Sequence, residues 1–372
     1  MDNFARLLKE SWALVEGNRE QMGEYFYARL FRLDPALRQL FPADMAGQGN
    51  RHLDAIVTAI QAVDDVESFE EYLRSLGRDH RKYHVDAGHY ETAGIALLDA
   101  LRSTAGDGWN LEYDQAWRDT HATIVERMLA GAEADENPPF WHAEVLTHER
   151  YGPDTAVLTV RALQYPLRWR AGQYVSVEAP RHLPRVWRTY SVANAPNDDN
   201  VLEFHVRTPP GAGWLSGVLV RRTKPGDLLR VAAPMGSMTV DRASERDILC
   251  VAGGVGLAPI KGLIEELTTW NRTRWVHVFY GDRRAEDLYG LPGLRELVAA
   301  HPWLSVTPAC SQDPDFEGEQ GDIAGVVGRY GPWTNHDCYV SGSARVVRST
   351  LRALAGDDVA PPHIRYDTFG EL

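Results

Sequence analysis

The spacing of apolar residues changes twice along the chain, and these changes divide it into three parts. In the first part, apolar positions recur at close to a 3.6-residue period, as in Leu7, Leu8, Val15, Met22 and Phe26. This period predicts amphipathic helices. The pattern ends at the stretch GAEADENPPFWH, whose acidic residues and two prolines predict a linker.

The second and third parts both contain strands, but in different arrangements. From Trp141 the apolar period is two, in short segments such as TAVLTVRAL, QYVSVEAP and VLEFHVR, which predicts a small β-barrel or β-sandwich. From Asp247, buried strands alternate with helices, which predicts a doubly wound parallel sheet. We therefore expect a helical domain over 1–136, a β-barrel over 137–240 and an α/β domain over 241–372.

Composition excludes several classes of protein. The net charge of −13 argues against nucleic acid as a partner, because phosphate binding needs clustered positive charge. The three cysteines, Cys250, Cys310 and Cys338, cannot supply the four thiolates of an iron–sulfur cluster. No apolar run approaches the roughly 20 residues that span a bilayer, and the N-terminus does not read as a signal peptide. We expect a cytoplasmic monomer without membrane insertion.

The stretch ILCVAGGVGLAPI in the third part reads as a strand, a glycine turn and a helix. Gly253, Gly254 and Gly256 allow a pyrophosphate to approach the backbone, and the following helix N-terminus attracts anions. A glycine cluster alone could equally be a tight turn. The stretch RTYS, Arg188 to Ser191, adds an arginine for a phosphate and two side chains suited to a flavin ring.

Six motifs between residues 140 and 372 occur in one order: RTYS, GAGWLS, GGVGLAP, YGDRRAEDLYG, YVSGS and YDTFG. This set resembles the ferredoxin–NADP reductase superfamily. The resemblance implies that FAD is bound by Gln173, Tyr174, Arg188, Tyr190, Ser191, Val206, Arg207, Gly213, Ser216, Asp367 and Phe369. It further implies that the nicotinamide dinucleotide is bound by Gly253, Gly254, Gly256, Pro259 and Gly342.

This chain departs from the superfamily at two places. Many relatives have Cys-Gly-Pro where it has Ser341-Gly342-Ser343, and glutamate where it has Asp367. Asp367 and Phe369 could instead form an ordinary C-terminal cap. Arg283 and Arg284 follow a predicted strand, where they could meet the 2′-phosphate of NADPH or be solvated, so NADH and NADPH both stay open.

The helical part contains two further motifs. EYFYARLFRLDPALRQLF and DHRKYHVDAGHY resemble the corresponding segments of bacterial flavohaemoglobins. The resemblance implies a globin fold with haem b, in which His80 is the proximal iron ligand and Tyr90 lies near it. It also implies that Phe41 packs on the haem and that Tyr27 donates a hydrogen bond to bound oxygen. From spacing alone, His80 and Tyr27 could be ordinary surface and core residues.

The globin resemblance also has gaps. At the distal position of the family's glutamine this chain offers Arg51 or His52, and Ile56 would be an apolar wall residue one turn further. Where the family has a glutamate near the proximal histidine, the alignment gives Ala132 with Glu133 beside it. Asp79 stands where the family has a lysine. We expect Glu133 to serve as the proximal carboxylate.

The two resemblances together imply a nitric oxide dioxygenase that passes electrons from NADH or NADPH through FAD to haem and converts NO and O2 to nitrate. Two alternatives use the same parts. The first is a haem–flavin reductase for another acceptor, such as a quinone, a ferric chelate or peroxide. The second is a haem-based oxygen or redox sensor, although the sequence shows no appended output domain.

Overall fold

The chain folds into two compact units, Met1–Phe140 and Trp141–Leu372. The computed structural model describes residues 2–41, 66–182, 186–209, 211 and 213–369. Along the described part of the chain, no helix is both long and apolar enough to cross a membrane.

The first unit is helical, as the 3.6-residue period predicted. Its core includes Leu8, Val15, Met22, Leu101 and Trp117, all at most 2% exposed. Its described helices are α1 (Asp2–Val15), α2 (Arg19–Leu33), α3 (Val66–His80), α4 (Ala87–Ala105) and α5 (Leu111–Glu133).

Polar side chains cap the starts of these helical segments. Asp34 accepts a hydrogen bond from the backbone of Ala36, and Pro35 follows it, so a short 3-10 helix, Pro35–Leu40, begins there. At α4, Asp86 and His89 cap each other's backbone N–H groups. His89 therefore has a structural role in starting α4.

The second unit begins with a six-stranded antiparallel sheet in the order β4-β3-β6-β1-β2-β5. Just after β4, the N–H of Ala193 donates to the carbonyl of Glu203 on β5. This hydrogen bond connects the two edge strands of the sheet. The strands are β1 (Trp141–Tyr151), β2 (Thr155–Ala162), β3 (Tyr174–Glu178), β4 (Arg188–Ser191), β5 (Val201–Arg207) and β6 (Leu228–Val231), and α6 (Trp214–Arg221) lies between β5 and β6 in sequence.

A six-stranded parallel sheet follows, in the order β10-β9-β8-β7-β11-β12. Its strands are β7 (Asp247–Gly253), β8 (Val276–Asp282), β9 (Leu304–Cys310), β10 (Glu319–Gln320), β11 (His336–Ser343) and β12 (Ile364–Phe369). The helices between them are α7 (Leu257–Trp270), α8 (Leu291–Ala300), α9 (Ile323–Tyr330) and α10 (Ala344–Gly356). The order reverses between β7 and β11, and such a switch point opens a ligand crevice at the carboxyl ends of the strands. The predicted fold class is confirmed.

A buried charge network closes the opposite, amino edge of this sheet. Asp337, at the start of β11, lies 2.7 Å from Nη2 of Arg274, and both side chains are almost fully buried. His363 Nδ1 lies 3.2 Å from the other carboxylate oxygen. The network joins β11 to the segments before β8 and β12.

Removal of Asp337 should leave the Arg274 charge buried without its carboxylate. We expect Asp337→Ala to lower the free energy of unfolding of the second unit by about 3–5 kcal/mol. Chemical denaturation measures this loss. Asp198→Ala is the control, because its ion pair with Arg168 is 3.0 Å long but 73% and 97% exposed, and we expect a change below about 0.5 kcal/mol. Equal losses in the two variants would contradict the prediction.

Candidate active site

In the first unit, His80 and Tyr90 are brought together by a tight connection between two helices. His80 is the last residue of α3, and His84 takes a left-handed backbone conformation (φ 56°) before α4 begins. Tyr90 lies near the start of α4. Its hydroxyl is 2.9 Å from Nδ1 of His80, and the two rings are nearly parallel, 14° apart.

This hydrogen bond suits the imidazole for metal ligation. Burial raises the pKa of Tyr90 to about 12, so the phenol is neutral at physiological pH. If Nε2 of His80 binds a metal, Nδ1 keeps its proton and donates a hydrogen bond to the Tyr90 oxygen, which fixes the orientation of the ring. An imidazole held in this way is the donor that haem iron takes in globins.

A second feature of this unit is an aromatic cluster around Tyr27 on α2. The rings of Phe31 and Phe41 lie 5.9 and 5.4 Å from that of Tyr27. Tyr27 is 7% exposed, and burial raises its pKa well above the ordinary value, so it stays a neutral hydrogen-bond donor. An apolar aromatic surface with one buried phenol fits a porphyrin. Arg51, His52 and Ile56 lie outside the described residues.

The structure does not bring Glu133 to the His80–Tyr90 pair. Glu133 is the exposed last residue of α5 and makes no hydrogen bond or ion pair with any described residue. Asp79 instead lies 2.5 Å from the ammonium of Lys82, which is buried. Burial lowers the pKa of Lys82, and the charge of Asp79 opposes that shift.

In the second unit, the barrel meets the last strand of the parallel sheet at Ser191 and Asp367. The hydroxyl of Ser191, on β4, donates to Oδ2 of Asp367, on β12, at 2.6 Å. Tyr190 precedes Ser191, and its hydroxyl is 3.2 Å from that of Ser216 on α6. Burial raises the pKa of Tyr190 to about 12. Phe369, at the end of β12, is 39% exposed.

The other predicted flavin residues have different local partners. Gln173 bonds to the backbones of Arg170 and Gly236, and Tyr174 pairs with Ser191 across β3 and β4. Gly213 begins α6 at φ 90°, where a Cβ would lie 2.7 Å from the ring of Pro209, so only glycine is tolerated.

Arg188 and Val206 differ in exposure to solvent. Arg188 is exposed and donates to the carbonyl of Trp187. The Val206 side chain is fully buried in the barrel core, so only its backbone is available to a ligand.

At the switch point, the glycine turn after β7 lies directly against β11. A Cβ on Gly256 would be 2.3 Å from the carbonyl oxygen of Ser341, so only glycine permits this approach. Gly254 has φ 58°, Gly342 continues β11 beside Gly253, and Pro259 is buried in the first turn of α7. The turn permits the close approach to the backbone that a dinucleotide pyrophosphate requires.

Two buried hydroxyls at the same edge support this fit. Ser341 Oγ and Thr368 Oγ1, on the adjacent strands β11 and β12, have no hydrogen-bond partner among the described residues. An unsatisfied buried hydroxyl costs about 1–3 kcal/mol, so a ligand with a polar edge would stabilise this surface. Ser343, which replaces the family's proline, caps α10 by accepting a hydrogen bond from Val346.

Arg207 links the barrel to the glycine turn. Its Nη2 lies 2.9 Å from Asp282 at the end of β8, and its Nε donates to Thr155. Nη1 would be 2.8 Å from a Cβ at Gly254. No sequence motif pointed to Asp282 as the partner of Arg207, although a carboxylate at the end of a buried strand was a signal. Arg283 and Arg284 are exposed, and Arg284 lies 3.6 Å from Glu286.

The Ser191–Asp367 contact predicts a pH dependence of stability. Burial raises the pKa of Asp367, and the Ser191 hydrogen bond offsets part of that shift. A carboxyl with a raised pKa stabilises the native state below its unfolded pKa and loses that contribution as pH rises through the folded pKa. Asp367→Asn cannot ionise, so its stability relative to the unsubstituted protein should rise from about pH 4 to about pH 8. Urea unfolding across this range, with exposed Asp198→Asn as control, measures the difference; a constant difference would disprove it.

Comparisons with known proteins cover all three parts of the chain. Family models match at residues 24–128 (Globin), 142–240 (Oxidoreductase FAD-binding domain) and 250–351 (Oxidoreductase NAD-binding domain). A flavohemoprotein of Bordetella pertussis is 28% identical over 98% of this chain and 97% of its own length.

Two solved structures share the fold. A flavohemoglobin from Malassezia yamatoensis with bound FAD and heme has a TM-score of 0.84 at 17% identity and covers 99% of this chain and 98% of its own. The FAD/NAD-binding domain of a nitric oxide dioxygenase from Vibrio cholerae has a TM-score of 0.56 at 20% identity, over 62% of this chain and 99% of its own. This chain therefore has the domain architecture of the flavohaemoglobins: it is an oxidoreductase with a haem-binding globin domain followed by FAD-binding and NAD-binding domains.

Proposed function

We propose that this oxidoreductase is a nitric oxide dioxygenase, which uses NAD(P)H to convert NO and O2 to nitrate. The observation that carries the proposal is the His80–Tyr90 pair in a unit that also holds the buried phenol of Tyr27. These groups precede a complete FAD/NAD module in the same chain. The Vibrio cholerae domain named above, which shares the fold of the reductase part, comes from a nitric oxide dioxygenase.

The residue roles form part of the proposal. When bound, FAD would supply the means to accept hydride from NAD(P)H and release single electrons, and haem would supply a reducible iron for the reaction of O2 with NO. His80 would bind the iron, and Tyr90 would hold the imidazole ring by accepting a hydrogen bond from Nδ1–H. Tyr27 stabilises negative charge that develops on oxygen, because its phenol is neutral and can donate.

The residues of the second unit bind the flavin and hold a proton beside it. Tyr190 and Arg188 bind the flavin, and the Ser191 hydroxyl with the Asp367 carboxyl holds a proton at its edge. Phe369 covers the flavin and moves aside for the nicotinamide, as its exposure permits. We place the domain boundaries after residues 136 and 240. The monomeric state and the cytoplasmic location stay predictions.

One observation favours a second candidate, a haem–flavin reductase for another acceptor. Glu133 is exposed and not bonded to His80, so the imidazole has a neutral phenol where relatives have a carboxylate as well. A weaker hydrogen-bond acceptor on Nδ1 makes the ligand less electron-donating toward the iron. That change would slow the last step with NO and leave reduction of a quinone, a ferric chelate or peroxide intact.

A steady-state assay separates the two candidates. We expect NO to stimulate NADH or NADPH oxidation by the aerobic protein and nitrate to form in proportion to NO consumed. NADH or NADPH oxidation that is insensitive to NO but accelerated by a quinone or ferric chelate would contradict the dioxygenase and support the reductase.

Tyr27→Phe tests whether Tyr27 donates a hydrogen bond to bound O2. Loss of a hydrogen bond worth about 1.5–3 kcal/mol should speed O2 dissociation from the ferrous protein by about 10- to 100-fold and lower nitrate formation. Tyr25→Phe is the matched control, since Tyr25 lies two residues away on α2 and is 42% exposed. An O2 dissociation rate in Tyr27→Phe equal to that of the control would rule out the assigned role.

A further inference from the structure

The segment that leaves the helical unit is bonded to the residue that follows His80. Oδ2 of Asp135 lies 3.0 Å from Nη1 of Arg81, and Nη2 of Arg81 donates to the carbonyl of Asn137 at 2.6 Å. The Asp135 and Arg81 side chains are only 7% and 22% exposed. One arginine therefore contacts two points of the segment between α5 and β1.

The rest of that segment is also held in place. The other carboxylate oxygen of Asp135 accepts from the backbone and side-chain nitrogens of Asn137, at 3.1 and 2.7 Å. The ring of Phe140 packs edge-on against His84, with centroids 6.1 Å apart. Pro138 and Pro139 between these contacts have fixed φ angles. We call residues 134–140, held by Arg81 and His84, the anchored linker.

We infer that Arg81 is a positioning residue for electron delivery from the reductase unit to the haem. The inference rests on the proposed assignment of His80 as the iron ligand. Arg81 is the next residue after His80. Its ion pair with Asp135 and its hydrogen bond to Asn137 therefore fix where the anchored linker runs relative to that ligand. The unit that begins at Trp141 follows directly, so its chain starts from the anchored linker.

Anchoring the linker should speed electron transfer because it raises the effective concentration of one redox centre at the other. A free linker over residues 134–140 would behave as a chain with a root-mean-square length of about 15 Å, and its far end would sample a large volume. Holding the linker at Arg81 and His84 removes most of this freedom. Intramolecular transfer then gains from a higher effective concentration, without any new contact at either cofactor.

Anaerobic mixing of the holoenzyme with NADH tests the inference, because flavin reduction and haem reduction give separate absorbance changes. We expect Arg81→Gln and Asp135→Asn to leave the flavin phase and ferricyanide reduction unchanged and to slow the haem phase by at least about five-fold. Arg81→Lys and the exchange variant, Arg81→Asp with Asp135→Arg, should recover part of the rate. Arg78→Gln is the control, since Arg78 lies on α3 and pairs with exposed Glu71 at 3.3 Å.

Limited proteolysis supplies a readout that does not depend on electron transfer. A glutamate-specific protease should cleave after Glu133 or Glu136 faster in Arg81→Gln and Asp135→Asn than in the unsubstituted protein or Arg78→Gln. Asp135→Asn keeps the inference falsifiable if Arg81→Gln loses haem, because Asp135 is remote in sequence from the ligand.

Two results would overturn the inference: a haem phase as fast in both variants as in Arg78→Gln, or an unchanged rate of linker cleavage. No NO is used, so failure of the dioxygenase proposal would appear only in the nitrate assay and would leave the haem-reduction result standing.

Discussion

The proposed chemistry of the helical unit depends on the hydrogen bond between Nδ1 of His80 and the hydroxyl of Tyr90. That bond exists because α3 ends at His80, the chain reverses through a left-handed residue at His84, and α4 starts at the Asp86 cap. A shift of one residue in either helix would rotate its side chain by about 100° and separate the pair. The caps and the turn therefore decide whether an imidazole is presented to iron in a fixed orientation.

In the second unit, too, the local sequence determines which groups can approach each other closely. The turn at Gly254–Gly256 reaches the backbone of β11 only because glycine has no Cβ, and β11 pairs directly with β12. Strand β12 carries Asp367 to the hydroxyl of Ser191 on the barrel. The glycine turn and the Ser191–Asp367 contact thus adjoin two neighbouring parallel strands, on which the hydroxyls of Ser341 and Thr368 have no hydrogen-bond partner among the described residues.

The fold could be predicted from the sequence because its three parts have different apolar periods, and each period admits few architectures. The motif residues could be placed because RTYS and GGVGLAP fix local geometry. Pairings between distant residues could not be predicted: nothing in the sequence connects Arg81 with Asp135 or Arg207 with Asp282. Glu133 shows the limit most clearly. At a helix end, moving a carboxylate by one position decides whether it faces the ligand or the solvent, and the sequence does not resolve that position.

The most direct test is the absorption spectrum of His80→Ala, purified and recorded in the ferric, ferrous and CO-bound states. We predict that the Soret band is lost or strongly altered, while FAD absorbance and ferricyanide reduction are retained. His84→Asn, which keeps a residue tolerant of the left-handed conformation, should retain the spectrum of the unsubstituted protein. A His80→Ala protein with an unchanged Soret band in all three states would show that another group binds the iron.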